Sequence, residues 1–211
     1  MSPFNPIGAI IAGGQSTRMG ETDKLTLQLG DQTLLQWSVA RLEKQTPKVV
    51  VNLRAQSPAA ESVPSNVVVP DKLENFQGPL AGLAAVFDWV NSQADMSEIS
   101  HIITIAGDTP FFPENLVEAF QNAAESASQD IIIAECEGYT QPLFGCWPIS
   151  LKDNLAQFLV EEETRKVMAF VRQHSWQRLP FDVTSPHPFF NVNTPDDADE
   201  IRRLLREDTP R

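Results

Sequence analysis

Short β-branched apolar runs alternate with longer stretches of helical spacing along this chain, and that alternation restricts its fold more than any other feature. "IGAII" (7–11), "KVVVNL" (48–53), "NVVVP" (66–70), "HIITIAGD" (101–108) and "DIIIAE" (130–135) read as buried strands. "LTLQL" (25–29) alternates and meets the turn dipeptide "GD". Helical spacing fills 33–45, 77–90, 113–127, 149–160, 164–173 and 197–207. This order predicts βαβ units: an α/β protein with a mostly parallel sheet, covered by helices on both faces. No internal repeat, low-complexity tract or linker interrupts it, so residues 1–211 are expected to form a single domain. Apolar residues make up 42%, enough for a sizeable core.

Charge and composition remove several functions. A formal net charge of −12 argues against general nucleic-acid binding, which needs clustered Lys and Arg. An anion site here must be local, built from backbone N–H groups, a few cations and a metal. No segment has the ~18 consecutive apolar residues of a membrane span, and "MSPFNPIG" does not read as a signal peptide. Cys136 and Cys146 form neither a disulfide framework nor a four-ligand zinc site, which fits a reducing cytoplasm. His101, His174 and His187 are scattered without metal-ligand spacing, and no G-x-S-x-G elbow is present.

Open parallel sheets bind ligands outside the carboxyl ends of their strands. The loops after Ile11, Leu53, Val69 and Ala106 are therefore the places to look. In "IAGGQSTRMGETDK", glycines let the backbone approach a ligand, and successive N–H groups can make an anion-binding concavity. Arg18 offers a planar fork to phosphate oxygens and Lys24 a point charge. The spacing is neither G-x-G-x-x-G nor G-x-x-x-x-G-K-[ST], so a dinucleotide fingerprint and a P-loop are both excluded.

Asp108, in "IAGDTPFFP", lies just past a strand on the same rim, where a carboxylate can hold Mg2+ together with substrate phosphates. Asp, Thr and Pro are also ordinary turn residues. Asn52 and Asp71 end two further strands and offer donors and acceptors to a base or ribose. Gly78 and Gly82 in "QGPLAG" suit either a close backbone approach or tight helix packing. In "FFNVNTPDD", Asn191 and Asn193 alternate about Val192 and would point to one face, while "TPDD" reads as a helix cap.

Together these pieces resemble the molybdenum cofactor guanylyltransferases of the nucleotidyltransferase superfamily. The resemblance is carried by "IAGGQSTRMGETDK", "VVVN", the "PD" of Asp71, "GPLAG", "GDTPFFP", "QPLFGCWP" and "FFNVNTPDD", and spans nearly the whole chain. It implies a Rossmann-like nucleotidyltransferase fold and transfer of GMP from GTP to the terminal phosphate of molybdopterin, with release of pyrophosphate. Carried over, Arg18, Lys24 and Asp108 are catalytic, with Asp108 holding Mg2+. Ile11, Ala12, Gly13, Gly14, Lys24, Asn52, Asp71 and Asp108 bind the nucleotide. Gly78, Gly82, Asn191 and Asn193 lie on the pterin side. The expected partners are GTP and molybdopterin, with molybdoenzymes or other cofactor-pathway proteins downstream, and the protein is expected to work as a cytoplasmic monomer. Alternatives are a CTP-dependent cytidylyltransferase, a sugar- or alcohol-phosphate nucleotidyltransferase, and a non-catalytic nucleotide-binding or delivery module. "GG" at 13–14, where the cytidylyl branch often has Ala-Gly, favours GTP.

Overall fold

The computed structural model describes residues 4–13, 23–71, 78–127 and 129–207. In chain order they form β1 (Pro6–Ile11), the hairpin strands β2 (Gln28–Leu29) and β3 (Gln32–Thr33), α1 (Leu34–Glu43), β4 (Val49–Leu53), β5 (Val67–Pro70), α2 (Pro79–Ser92), β6 (His101–Ala106) and α3 (Leu116–Ser126). Then follow β7 (Ile131–Cys136), β8 (Tyr139–Pro148), α4 (Lys152–Glu161), α5 (Val167–Val171), β9 (Trp176–Pro180) and α6 (Pro195–Glu207). Seven strands make one sheet in the order β5-β4-β1-β6-β8-β7-β9. Its pairings are parallel except the two made by β8.

β1 sits between β4 and β6 and is buried on both faces, as its unbroken apolar run requires. Its side chains alternate. Ile7, Ala9 and Ile11 pack with Leu83 and Phe87 of α2, Phe158 of α4 and Phe170 of α5. Ile10 packs on the other face with Leu35 and Leu42 of α1 and Leu116 and Phe120 of α3. Helices thus cover both faces. A smaller cluster of Leu29, Leu34, Phe111, Val192, Ala198 and Ile201 fastens the β2–β3 hairpin and α6 to the loop after β6.

Local signals set the helix starts. Thr33 and Gln36 form a capping box at α1: Thr33 Oγ1 accepts from Gln36 N–H at 3.2 Å, and Gln36 Oε1 accepts from Thr33 N–H at 2.8 Å. At α6, Asp197 Oδ2 accepts from the N–H groups of Asn193 and Thr194, both at 2.8 Å, and Thr194 Oγ1 accepts from Asp197 N–H at 3.1 Å.

The boundaries depart from the sequence reading in several places: the stretch 25–29 is strand only over Gln28–Leu29, after a 3-10 turn, and the helix expected from 113 starts at Leu116. The strand expected over 101–108 ends at Ala106, and Gly107 and Asp108 turn. The helix expected from 149 begins as a 3-10 turn, Ile149–Leu151, before α4. The one expected over 164–173 shortens to the five residues of α5. Two strands of the seven-stranded sheet, β8 and β9, had no counterpart. In β8, Pro142 and Gly145 break the apolar pattern. The register jumps from Ile133↔Gly145 to Ala134↔Gln141, so 142–144 bulge out of the ladder, and Pro142 has no N–H to waste there. β9, "WQRLP", is a mixed-polarity edge strand that ends in proline.

Candidate active site

The register draws the rim directly. Val69, Asn52, Ile11 and Ala106 stand side by side across β5, β4, β1 and β6. The ladder runs one step further through Ala12 N–H to Asn52 O (3.0 Å), Gly107 N–H to Ile11 O (3.2 Å) and Asp71 N–H to Leu53 O (3.3 Å). The strands therefore deliver Asp71, Ala12, Gly13, Gly107 and Asp108 to one edge. Ala12, Gly13, Gly107 and Asp108 border a cleft whose walls include Lys24, Asn52, Gly78 and Leu143, and Asp71 stands behind Asn52.

Lys24 and Asp108 meet at the centre. Lys24 Nζ donates to Asp108 Oδ2 at 2.5 Å and to Asn193 Oδ1 at 3.0 Å. Both partners of the ion pair are mostly shielded, with side-chain exposures of 22% and 19%. Lys24 opens the 3-10 turn Lys24–Thr26, which the buried Asp23 caps. Asp23 Oδ1 accepts from Leu25 N–H at 3.1 Å and Oδ2 from Ser57 Oγ–H at 2.8 Å. Asp108 is fixed through its backbone, whose carbonyl accepts from Val192 N–H at 2.9 Å. Thr109 Oγ1 lies 3.3 Å from Asp108 Oδ1 and donates to Asn191 Oδ1 at 2.5 Å.

The second group is Asn52 with Asp71. Asn52 is fully buried; its Nδ2 donates to Val69 O at 3.1 Å and to Asp71 Oδ1 at 2.7 Å. A carboxylate only accepts, so the amide orientation is settled. Its Oδ1 is left buried with no partner among the described residues. A buried polar atom without a hydrogen bond costs about 1–3 kcal/mol, so this oxygen is an acceptor left to be satisfied. Two glycines make room for the pair. A Cβ on Gly82 would lie 2.2 Å from Asn52 Oδ1, and one on Gly13 would lie 2.5 Å from Asp71 Oδ2.

The structure therefore brings Ile11, Ala12, Gly13, Lys24, Asn52, Asp71 and Asp108 to one rim, with Asn191 and Asn193 reaching it from the loop before α6. Gly78 lines the cleft at the start of α2, at φ +118°, a conformation that favours glycine. Gly82 is buried under Asn52 and Ile11, on the half of the rim that carries Asp71. Gly14 and Arg18 lie outside the described residues. Sequence reasoning missed Asp23, Ser57, Thr109 and Leu143. Asp23 adjoins Lys24 in the quoted loop and Thr109 follows Asp108, so both were in sight without their contacts. Leu143 reaches the cleft only because β8 runs antiparallel and bulges there.

Other chemistry finds no support. No group of three or more His, Cys, Asp or Glu side chains able to hold a metal occurs among the described residues. Cys136 and Cys146 are buried free thiols, and burial pushes both above their ordinary pKa. No helix among the described residues is long and apolar enough to cross a membrane.

A mostly parallel sheet whose rim sets a lysine–carboxylate pair beside glycines is, by the family its sequence matches, that of a nucleotidyltransferase. Residues 8–178 match the family described as the MobA-like NTP transferase domain, and the chain belongs to that family. It is 40% identical to a molybdenum cofactor guanylyltransferase of Rhizobium johnstonii, over 94% of this chain and 92% of the relative. It is 36% identical to the enzyme of the same name from a Bradyrhizobium species, over 93% and 92%. In fold it resembles the molybdopterin-guanine dinucleotide biosynthesis protein A of Archaeoglobus fulgidus, with a TM-score of 0.70, 22% identity, and coverage of 96% of this chain and 99% of that one.

Proposed function

We propose that this protein is a cytoplasmic, monomeric molybdenum cofactor guanylyltransferase, moving GMP from GTP to the terminal phosphate of molybdopterin. An oxygen of that phosphate forms the new bond to the α-phosphorus of GTP. The bond from the α-phosphorus to the bridging oxygen breaks, and pyrophosphate leaves with the electron pair. The attacking phosphate is already ionised near neutral pH, so no general base is needed. What the protein must supply is alignment and positive charge where negative charge gathers.

The observation that carries this reading is the Lys24–Asp108 pair, set mid-rim between two unlike halves. On one half, Asn52 Oδ1 and the Asp71 carboxylate are both acceptors. Guanine presents imino and amino N–H donors together on its pairing edge, which suits two acceptors better than cytosine with its single amino group. On the other half stand Leu143 and the asparagines of 191–193, beside which the pterin is placed. Lys24 carries three donors; among the described residues Asp108 and Asn193 engage two, and the third is offered to phosphate oxygens. Arg18 and Gly14 join the nucleotide side through the family resemblance.

Asp108 suits Mg2+ shared with substrate. It offers one partly exposed carboxylate at the cleft, and Mg2+ commonly takes one or two carboxylates and completes its shell with phosphate oxygens and waters. Bound there, Mg2+ would lend positive charge to the phosphates. Lys24, freed from part of its pairing with Asp108, would then face the triphosphate.

The test is pyrophosphate release with Mg2+ and molybdopterin, offering GTP, CTP, ATP and UTP separately. Release with GTP alone is expected. Release with CTP alone would move the protein to the cytidylyl branch. Binding without release would make it a carrier.

A further inference from the structure

Thr109 is fully buried one residue beyond Asp108, and its hydroxyl faces two acceptors. Oγ1 lies 2.5 Å from Asn191 Oδ1 and 3.3 Å from Asp108 Oδ1. A hydroxyl has one proton, and the shorter contact takes it. Asn191 is exposed, and its side-chain Nδ2 has no partner among the described residues. With its carbonyl oxygen accepting from Thr109, the Asn191 amide turns Nδ2, with two donors, away from Thr109. The backbone beneath is fastened as well. Val192 is fully buried and its N–H donates to Asp108 O at 2.9 Å, while Asn193 Oδ1 accepts from Lys24. Asp108, Thr109, Asn191, Asn193 and Lys24 thus close a ring in which Thr109 is the member hidden from substrate.

We infer that Thr109 is a positioning residue for the acceptor. Its buried hydroxyl holds the Asn191 amide with the N–H groups toward the pterin phosphate, in register with the Asp108 turn. This rests on the transfer reaction proposed above. Thr109 touches neither substrate; it sets the rotamer of a residue that does. An anionic acceptor suits two outward donors, and a freely turning amide would offer them only part of the time.

The test compares Thr109→Val, Thr109→Ser, Asn191→Ala and the Thr109→Val/Asn191→Ala double variant. The readouts are pyrophosphate release at varied molybdopterin and varied GTP, and thermal melting. Thr109→Val is expected to raise KM for molybdopterin about tenfold, the effect of one lost hydrogen bond, with KM for GTP and the melting temperature little changed. Thr109→Ser, which keeps the hydroxyl, is expected to behave as the wild type. The double variant is expected to be no worse than Asn191→Ala alone, because both changes remove one interaction. If the valine protein does not fold, Thr109→Ala reads the same contact. An unchanged acceptor KM in the hydroxyl-less variant, while Asn191→Ala raises it, would overturn the role of Thr109 and leave the reaction standing. Equal rises in both KM values, no rescue by serine, or no effect of Asn191→Ala would overturn it too. A wild-type protein that releases no pyrophosphate from GTP would overturn the transfer reading itself.

Discussion

In the proposed reaction Lys24 stands where the triphosphate and the attacking phosphate repel each other most. Removing its charge by Lys24→Ala is expected to cost at least about tenfold in kcat, with little change in melting temperature, and steady-state pyrophosphate release would show it. Asp108→Ala should abolish the Mg2+-dependent rate while circular dichroism stays that of the wild type. Retained activity would remove Asp108 as the metal ligand. The positions of these residues were legible in the sequence: Asp71 and Asp108 follow strands whose apolar runs end visibly, Asn52 stands near the end of β4, and Lys24 ends the polar stretch quoted after β1. Their supports were not. Ser57 meets Asp23 across 34 residues and Asn191 meets Thr109 across 82, and a hydroxyl reaching that far leaves no local pattern.

At the scale of elements, α2 owes its place to Gly82, which lets the helix lie against Asn52. Gly82→Ala would put a methyl group 2.2 Å from Asn52 Oδ1, so the amide must turn or the helix shift. The expected result is a KM for GTP raised roughly tenfold with the acceptor KM nearly unchanged, since one hydrogen-bond acceptor is misplaced. The mirror result, a change confined to the acceptor, would return Gly82 to the pterin side where the family resemblance put it. The parallel strands were readable because burial on both faces leaves an unbroken apolar run, as in "IGAII" and "HIITIAGD". β8 and β9 were not. β8 carries Pro142 in a bulge, and β9 sits at an edge where Arg178 pairs with Glu135 at 3.0 Å and apolar content is low. The strand hardest to read is the one that carries Leu143 to the cleft.

For the whole molecule, stability should fall on the alkaline side in a way that reports the core. Cys146 is wholly buried in β8, and burial pushes its pKa up. A thiol raised above its unfolded value of about 8.5 keeps its proton longer in the native state. Its contribution is therefore full below that pH and is lost as pH climbs above it, at up to about 1.4 kcal/mol per pH unit. Urea unfolding between pH 7 and 10 should show this limb, and Cys146→Ala should make it shallower, leaving the part due to Cys136, while lowering stability at pH 7. The same molecule brings two halves of one rim to a single ion pair, and the account rests on what crosses between them. Incubating the protein with Mg2+, molybdopterin and GTP labelled at either the α- or the γ-phosphorus tests this most directly. The α label is expected in a guanine–pterin dinucleotide and the γ label in pyrophosphate. An α label that stays in GTP, or leaves as free GMP without joining the pterin, would contradict it.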